Sequence, residues 1–315
     1  MEITFLPVGA DSNTAAYRAV DDAGVAYFVK LRLNAFDEMS VLVPALLSER
    51  GIAHILAPVP AGSGQHWTGL DSHTVIVYPF VDGRDGYEVA MTGRQWTELG
   101  TTLRRMHTTP LPPELRRRVR RETYEPRWRE GVRRSLASID DPVTYDGVAT
   151  RLVAFLRAKR DAILDLVGRA ERLAAVMQAH PRPFVLCHSD LHAGNVLIDA
   201  GGAFYIIDWD DPILAPKERD LMFIGGAQGL GRTTPGEEEA MFYRGYGPTD
   251  VDQVALAYYR YERIVVDIAI FCDGLLSSPS GGDDREQSLR YLMANFEPGG
   301  TIEVAYARDR TVGPR

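Results

Sequence analysis

The hydrophobic pattern in the first third of the chain is that of short strands separated by turns. Apolar runs bounded by Asp, Asn and Gly predict strands at 3–8, 15–20 and 25–33. A helix is predicted from Asp37 to Arg50, and Pro44 is expected to kink it or to delay its start. The apolar run at 74–83 then predicts a buried strand that ends in a Pro/Gly bend.

Beyond residue 90, apolar positions mostly recur with helical spacing. A compact block at 184–212 interrupts this pattern, because two apolar runs flank a turn and predict a hairpin. We therefore expect an α+β, bilobal chain, with a β-rich N-terminal lobe at 1–82 and a large helical lobe at 83–315, joined by a hinge near 79–86. The predicted helices are 93–107, 127–138, 147–179 and 251–276.

Composition and charge narrow the classes of function. The 315 residues include 35 Lys+Arg and 43 Asp+Glu, and the net charge of −8 disfavours a dedicated nucleic-acid binder and would suit a cationic ligand. The cysteines are Cys187 and Cys272, so no disulfide framework is expected. The first residues lack the pattern of a signal peptide, and no apolar run approaches the ~20 residues of a membrane span. We expect a cytoplasmic monomer with no nucleic-acid or membrane partner.

The strongest chemical signal is the segment HSDLHAGN at 188–195, followed by YIID at 205–208. Phosphoryl transfer to a hydroxyl needs one carboxylate that orients the hydroxyl and accepts its proton, and oxygen ligands that hold Mg²⁺ against a triphosphate. Asp190 and Asn195 come from one loop, and Asp208 comes from the end of the returning strand, so a hairpin would bring all three to one edge. The alternative, a solvated polar turn, does not explain three matched positions.

These motifs resemble those of a known family. HSDLHAGN with IIDWD resembles the catalytic and metal loops of the aminoglycoside phosphotransferase and choline kinase superfamily, whose fold is protein-kinase-like. Over nearly the whole chain the sequence is most similar to spectinomycin phosphotransferases. The resemblance implies an ATP- and Mg²⁺-dependent kinase of a small hydroxylated cation, with Asp190 as the base and Asn195 and Asp208 on the metal. The segments that carry the closer likeness are YEPRWRE at 124–130, KERDLMFIGG at 217–226 and YYRYERIVVDIA at 258–269.

The resemblance also implies which residues face the phosphates. Lys30 on the third strand would touch the α- and β-phosphates and pair with Glu38, or with Glu49 in reserve. The turn over the phosphates would be residues 9–14, where Ser12 and Asn13 would donate hydrogen bonds, although this turn has a single glycine. Taken alone, Lys30 is an ordinary strand lysine and the turn a plain hairpin turn.

Adenine would bind at the hinge Tyr78-Pro-Phe-Val-Asp-Gly83, according to the same resemblance. The adenine amino group would donate to the carbonyl of Pro79, and the N–H of Val81 would donate to a ring nitrogen. A proline fits the first position because only its carbonyl is used.

The acceptor side depends on acidic residues. Asp210 and Asp211 follow the metal ligand, and Glu262 and Asp267 lie on the helix predicted at 251–276. If the acceptor is spectinomycin, which carries two secondary amines, we expect these carboxylates, with Asp190, to line its site. The alternative is that Asp267 pairs with a neighbouring arginine at i,i+4 and recognises nothing.

Other functions remain open. The acceptor would otherwise be another aminoglycoside, choline, a sugar or homoserine, and a catalytically silent kinase-like protein is disfavoured because the key residues are intact. A protein kinase is disfavoured because Trp209-Asp210 follows Asp208 in place of Phe-Gly. The basic segment 115–134 is expected to be a solvated face, with phosphate or nucleic-acid contact as the alternative. His107 and Asp220 are expected to have structural roles, Asp220 by tying its segment to the catalytic loop.

Overall fold

An antiparallel sheet occupies the first part of the chain. The strands predicted at 3–8, 15–20, 25–33 and 74–83 are confirmed, and the spatial order of the five strands is β1-β2-β3-β5-β4. Its strands are β1 (Glu2–Leu6), β2 (Thr14–Val20), β3 (Ala26–Leu33), β4 (Thr68–Leu70) and β5 (His73–Pro79). The computed structural model describes residues 2–8, 13–33, 36–141, 145–226, 233–277 and 282–311.

The first helix, α1 (Met39–Glu49), follows β3. It begins two residues after the predicted start. Asp37 therefore lies before the helix, where its carboxylate accepts the N–H of Met39, the first helical residue, at 2.9 Å. Pro44 lies within the helix, as the sequence predicted.

Two small sheets carry the block predicted as a hairpin. The first has the order β10-β9-β6 and the second the order β7-β11-β8. In the hairpin β9–β10, Phe204 is opposite Ile198, and the prediction is confirmed. The strands are β6 (Gly83–Asp85), β7 (Arg120–Arg121), β8 (Val185–Cys187), β9 (Val196–Asp199), β10 (Phe204–Ile206) and β11 (Ile213–Ala215).

Helices make up most of the remainder, which confirms the α+β class. The four helices predicted beyond residue 90 are α2, α4, α5 and α8, and their ends agree closely with the prediction. Among the described residues, the helices of this part are α2 (Gly93–Thr108), α3 (Pro113–Arg118), α4 (Arg127–Ser138), α5 (Gly147–Ala179), α6 (Glu218–Leu221), α7 (Pro235–Tyr246), α8 (Gln253–Ser277), α9 (Gly282–Ala294) and α10 (Thr301–Ala307). None of the helices within the described ranges is long and apolar enough to cross a membrane.

The chain forms two compact units. Unit 1 contains the N-terminal sheet and the hairpin, because the chain returns to it after residue 183. The two units do not coincide with the lobes predicted at 1–82 and 83–315, and that division into lobes stays a prediction. Unit 1 is Met1–Arg121, Phe184–Asp220 and Gly229–Thr249, and unit 2 is Glu122–Pro183, Leu221–Gln228 and Asp250–Arg315.

Close helix packing stabilises unit 1. A Cβ atom on Gly245 of α7 would lie 1.7 Å from the carbonyl oxygen of Thr97 in α2, and one on Gly100 of α2 would lie 2.1 Å from the carbonyl oxygen of Phe242. Only glycine therefore permits this approach of α2 and α7. His107 lies in the last turn of α2.

Unit 2 has a separate apolar core. The inward faces of α4, α5 and α8 meet there, and residues on all three helices are almost completely buried. Burial of each such side chain contributes about 1.5–3 kcal/mol before entropy is counted. Examples are Val132, Leu156, Leu166, Ile264 and Ile268.

Candidate active site

The predicted catalytic loop connects β8 to β9 and ends in a short 3₁₀ turn at Ala193–Asn195. The side-chain amide of Asn195 donates to the backbone carbonyl of Asp190 at 2.7 Å. The N–H of Asp190 donates to Nδ1 of His188 at 3.3 Å, and Nε2 of His188 donates to the carbonyl of Ile207 at 2.9 Å. These two bonds require the tautomer of His188 that is protonated on Nε2. His188 therefore shapes the loop around Asp190.

A buried carboxylate anchors the start of this loop. Asp220 is completely buried, and it accepts the backbone N–H groups of His188 at 3.0 Å and of Ser189 at 2.7 Å. It also lies 3.0 Å from Nε2 of His107, whose Nδ1 is 2.8 Å from the hydroxyl of Tyr246. Ser189 has φ of +77°, a strained value for a residue with a side chain. The structural roles expected of Asp220 and His107 are confirmed.

A buried thiol lies close to Asp220 and His107. Cys187, His107 and Asp220 present possible metal ligands within 4.8 Å of one another. Burial raises the pKa of the Cys187 thiol well above its usual value, so the group stays a protonated thiol. The Asp220 oxygens are already hydrogen-bonded to the loop. We therefore assign this cluster to the support of the loop.

The two predicted metal ligands belong to neighbouring backbone segments. The N–H of Ile207 donates to the carbonyl of Asn195 at 3.0 Å, which ties the end of the loop to the residue before Asp208. Asp208 has φ of +59°, and its side chain is 47% exposed. Because the amide nitrogen of Asn195 is bonded to Asp190, its amide oxygen is the atom that could ligate a cation. Amide and carboxylate oxygens fit a hard ion such as Mg²⁺.

Lys30 contacts different carboxylates from the one predicted. Its Nζ lies 3.1 Å from Oδ1 of Asp208 and 2.9 Å from Oδ2 of Asp210. The expected partner, Glu38, forms an ion pair with Arg118. The prediction of a Lys30–Glu38 pair is wrong for this structure, because Glu38 precedes α1 and Asp210 lies beside the lysine.

The cluster of charges around Lys30 shifts two pKa values. Burial lowers the pKa of Lys30, but the charges of Asp208 and Asp210 outweigh it, and the net shift is upward. Burial raises the pKa of Asp210, and the charge of Asp208 raises it further, against the opposing effects of Lys30 and Arg32. The lysine therefore stays fully charged at neutral pH.

The predicted nucleotide residues of the turn and hinge stay predictions. Ser12 lies outside the described residues, while the carbonyl of Asn13 accepts the N–H of Leu33 at 2.8 Å. Pro79 ends β5 opposite Tyr27, and Val81 is half-buried two residues later. This places the hinge at the end of the strand next to β3, which carries Lys30.

The acids expected to bind the substrate have cationic partners within their own units. Asp210 contacts Lys30, and Asp211 lies 2.8 Å from Arg120 on an exposed surface. These pairs account for part of the basic segment as well, since Arg118 and Arg120 both contact acids.

Glu262 and Asp267 are both in ion pairs in unit 2. Glu262 is buried and lies 3.1 Å from the equally buried Arg129, and its contact with a substrate amine stays a prediction. Asp267 lies 3.0 Å from Arg263 at i,i+4, the alternative that the sequence left open.

Sequence reasoning missed two features near Lys30. Arg32 shares a face of β3 with Lys30, since side chains two residues apart on a strand point to one side, and this period could have identified it. Tyr78 on the neighbouring strand has a raised pKa, first because of burial and then because of the charges of Asp210 and Asp208. The phenol is therefore neutral.

Several known proteins are similar to this chain. The model of the phosphotransferase enzyme family matches residues 3–257. The structure of spectinomycin phosphotransferase APH(9)-Ia in complex with ADP and spectinomycin is 39% identical, covers 97% of this chain and 92% of that chain, and has a TM-score of 0.90. The AMP-bound complex of that enzyme is 38% identical, with coverage of 93% and 90% and a TM-score of 0.84.

A relative from Streptomyces griseus, protein StrN, is 27% identical over 223 residues, which are 69% of this chain and 67% of the relative. The similarity to the APH(9)-Ia structures confirms the α+β, protein-kinase-like fold predicted from the motifs. It also supports binding of a nucleotide, since those structures contain ADP or AMP.

Proposed function

The chain belongs to the phosphotransferase enzyme family, and from this premise we propose that it transfers the γ-phosphate of ATP to a hydroxyl of spectinomycin. The observation that carries the acceptor is the extent of one similarity: 39% identity across 97% of the chain with an enzyme whose structure contains ADP and spectinomycin. The similarity is not confined to the catalytic loop, which many kinases of small molecules share. The product would be an O-phosphorylated, inactive antibiotic.

Asp190 orients the attacking hydroxyl and accepts its proton. The oxygen–phosphorus bond to the acceptor forms as the bond between the γ-phosphorus and the ADP oxygen breaks. The backbone of Asp190 is fixed from both sides, by Asn195 and by His188. His192, on the same loop, has its Nε2 3.7 Å from Oδ2 of Asp190.

The nucleotide side uses the remaining residues. Asn195 and Asp208 would hold Mg²⁺, which neutralises charge on the phosphates when it is bound. Lys30 supplies a further positive charge for the α- and β-phosphates. Pro79 and Val81 would bind adenine at the hinge, and Asn13 would face the phosphates. Rate acceleration would come mainly from positioning and from charge neutralisation.

On the acceptor side, Asp211 of unit 1 is the candidate with the more exposed side chain, 65%, beside Arg120. Asp267 of unit 2 is a separate candidate, with 23% of its side chain exposed beside Arg263. An acceptor amine at either carboxylate would compete with the arginine there. Its capture should weaken as salt is raised, since exposed charges are screened over about 10 Å at 0.1 M.

The test is an ADP-release assay with purified protein. Spectinomycin, other aminoglycosides, choline, simple sugars and homoserine are compared at equal concentration, and mass spectrometry identifies the phosphorylated product. We expect spectinomycin to have the highest kcat/KM, with one added phosphoryl group, and the Asp190→Ala variant to abolish the signal. Faster turnover of any other acceptor would refute the assignment of spectinomycin while leaving the kinase in place.

A further inference from the structure

The carboxylate of Asp210 binds two cations of the same strand. Nζ of Lys30 lies 3.0 Å from its Oδ1 and 2.9 Å from its Oδ2, and Nη1 of Arg32 lies 2.8 Å from Oδ1. The side chains of Lys30 and Arg32 are 14% and 18% exposed, and that of Asp210 is 33% exposed. The pairs are therefore shielded more than typical surface ion pairs.

The backbone brings these groups together. Lys30 and Arg32 are two residues apart on β3 and so project from one face of the sheet. Asp208 and Asp210 are likewise two residues apart, just after β10, where Asp208 has φ of +59°. Both carboxylates reach the ammonium group of Lys30, Asp208 at 3.1 Å. Strand periodicity therefore aligns Lys30 with Arg32. The left-handed backbone conformation of Asp208 accompanies the approach of the two carboxylates.

We infer that Asp210 is a positioning residue for the nucleotide: it holds Lys30 and Arg32 in place on β3 so that their charges face the phosphates. This inference rests on the proposed function, in which Lys30 faces the phosphates and Asp208 binds the metal. A metal held by Asp208 would compete with Lys30 for that carboxylate. Asp210 gives the lysine a second carboxylate, so one acid serves the metal and the other keeps the lysine oriented.

Two other assignments for these groups agree less well with the contacts. Glu38, the acid expected to orient Lys30, is paired with Arg118. A substrate amine on Asp210, the role expected from the sequence, would have to displace cations that already contact both of its oxygens. The role of Asp210 is therefore on the nucleotide side, and it acts through Lys30 and Arg32.

A double-mutant cycle tests this inference. Affinity for the Mg²⁺ complex of the ATP analogue AMP-PNP is measured by calorimetry, without any acceptor, for wild type, Asp210→Asn, Lys30→Ala and the double variant. A charge-assisted hydrogen bond of about 1.5–3 kcal/mol corresponds to a loss of roughly ten- to a hundredfold in affinity, which we expect for Asp210→Asn. In the Lys30→Ala background the same change should have a much smaller effect, because coupled residues are not additive. A second cycle with Arg32→Gln measures the other contact.

Steady-state kinetics provide an independent readout. Asp210→Asn should raise the KM for ATP and leave the KM for spectinomycin unchanged, and Asp210→Glu, which keeps the charge, should fall between wild type and Asp210→Asn. Glu98→Gln is the matched control: Glu98 has the same 33% side-chain exposure and pairs with Arg94 at the surface, so its removal should not alter nucleotide affinity.

Three results would overturn the inference. The first is a nucleotide affinity of Asp210→Asn equal to that of Glu98→Gln. The others are an affinity loss from Asp210→Asn that is undiminished in both the Lys30→Ala and Arg32→Gln backgrounds, or a rise that Asp210→Asn causes only in the KM for spectinomycin. Circular dichroism and thermal unfolding of each variant separate loss of fold from loss of binding, and Asp210→Glu is used in the cycle if Asp210→Asn does not fold. Because binding is measured without an acceptor, a failure of the spectinomycin assignment leaves this test intact.

Discussion

Asp220 is completely buried, and its carboxylate accepts the backbone N–H of Ser189 at 2.7 Å. A second bond, from the N–H of His188 at 3.0 Å, makes the contact bidentate. Both bonds hold the chain directly before Asp190, and Ser189 has the positive φ of +77° that this path requires. The carboxylate thus compensates a strained backbone at the catalytic loop.

Replacing Asp220 with Asn should lower both stability and turnover. An amide offers one acceptor oxygen, so one backbone N–H at residue 188 or 189 would be left buried without a partner, at a cost of about 1–3 kcal/mol. We expect the free energy of unfolding in urea to fall by this amount and kcat to fall more than the KM for ATP rises. The control is Glu98→Gln, whose ion pair with the exposed Arg94 should contribute little to stability. Wild-type kcat in folded Asp220→Asn would contradict the anchoring role.

Asp190→Ala should abolish turnover and spare nucleotide binding. Removal of a positioned general base costs about 10²- to 10⁴-fold in rate, whereas the nucleotide is held chiefly by Lys30, the hinge and the metal. Single-turnover kinetics and AMP-PNP calorimetry on the same preparation measure the two effects. A kcat close to that of wild type would remove Asp190 from its role.

Asp208→Asn should raise the Mg²⁺ concentration needed for activity. The substitution keeps the shape of the side chain and removes the charged oxygen ligand. Titration of Mg²⁺ at fixed ATP is the measurement, and Lys30→Ala is the comparison, since it should raise the KM for ATP with a smaller effect on the metal requirement. An unchanged Mg²⁺ titration for Asp208→Asn would place the metal elsewhere.

The sequence predicted those parts of the site whose residues are close together along the chain. The loop that contains Asp190 and Asn195 directly precedes the hairpin β9–β10, and Asp208 follows it within two residues, so spacing along the chain was sufficient to bring them together. The strands and long helices were also predictable, because their apolar residues recur with the period of the element. The short strand β4 was missed, since its three residues are exposed and carry no such pattern.

Contacts between distant residues could not be predicted in this way. Glu262 and Arg129 are 133 positions apart, and no local pattern indicates that both are buried. The predicted partner of Lys30, Glu38, differs from the observed partner, Asp210, for the same reason. Which acid lies beside the lysine depends on where α1 begins and on the turn at Asp208. Charge alone suggested substrate contacts for these acids, and no local pattern indicated that tertiary packing also places each of them in an ion pair.

The cap of α8 should make stability depend on pH. Asp252 accepts the N–H groups of Val254 at 2.9 Å and of Ala255 at 3.0 Å, and its other oxygen lies 2.8 Å from Nε of Arg182. Burial would raise the pKa of Asp252, but the bond from Ala255 and the contact with Arg182 outweigh it and lower the pKa below its usual value. The stabilisation is therefore present above the unfolded pKa of about 3.9 and is lost as pH falls through the lower folded pKa.

Asp252→Ala should cost about 1 kcal/mol at pH 7, as is typical for loss of an N-cap. The difference from wild type should shrink as pH falls below about 4, when the carboxylate becomes protonated. Thr92→Ala is the control, because Thr92 caps α2 with a neutral hydroxyl and its loss should cost a similar amount at every pH. Urea unfolding at pH 7 and pH 3 measures both variants. A constant cost for Asp252→Ala would show that its charge does not contribute.

Glu262 and Asp267 lie on the same helix, and their neutralisation should lower stability by very different amounts. Glu262 and Arg129 have 5% and 2% of their side chains exposed. Loss of one partner leaves a buried charge uncompensated, at a cost of about 3–5 kcal/mol. Glu262→Ala should therefore lower the free energy of unfolding by this amount and leave the KM for spectinomycin unchanged in folded protein. Asp267→Asn removes a more exposed pair worth about 0.3–0.5 kcal/mol, so its effect on stability should be small, and any rise in the KM for spectinomycin would indicate contact with the acceptor.

The double variant Glu262→Met/Arg129→Met distinguishes a structural pair from a substrate contact. Replacing both partners of a buried ion pair with apolar residues of similar volume is often neutral or stabilising. We expect the double variant to be more stable than Glu262→Ala and to keep the wild-type KM for spectinomycin, because neither charge would be needed by the acceptor. A rise of ten- to a hundredfold in that KM, about the loss of one charge-assisted hydrogen bond, would instead show that Glu262 binds the substrate. Unfolding in urea and steady-state kinetics on the same variants therefore separate the two roles, since the structural role acts on stability and the substrate role acts on KM.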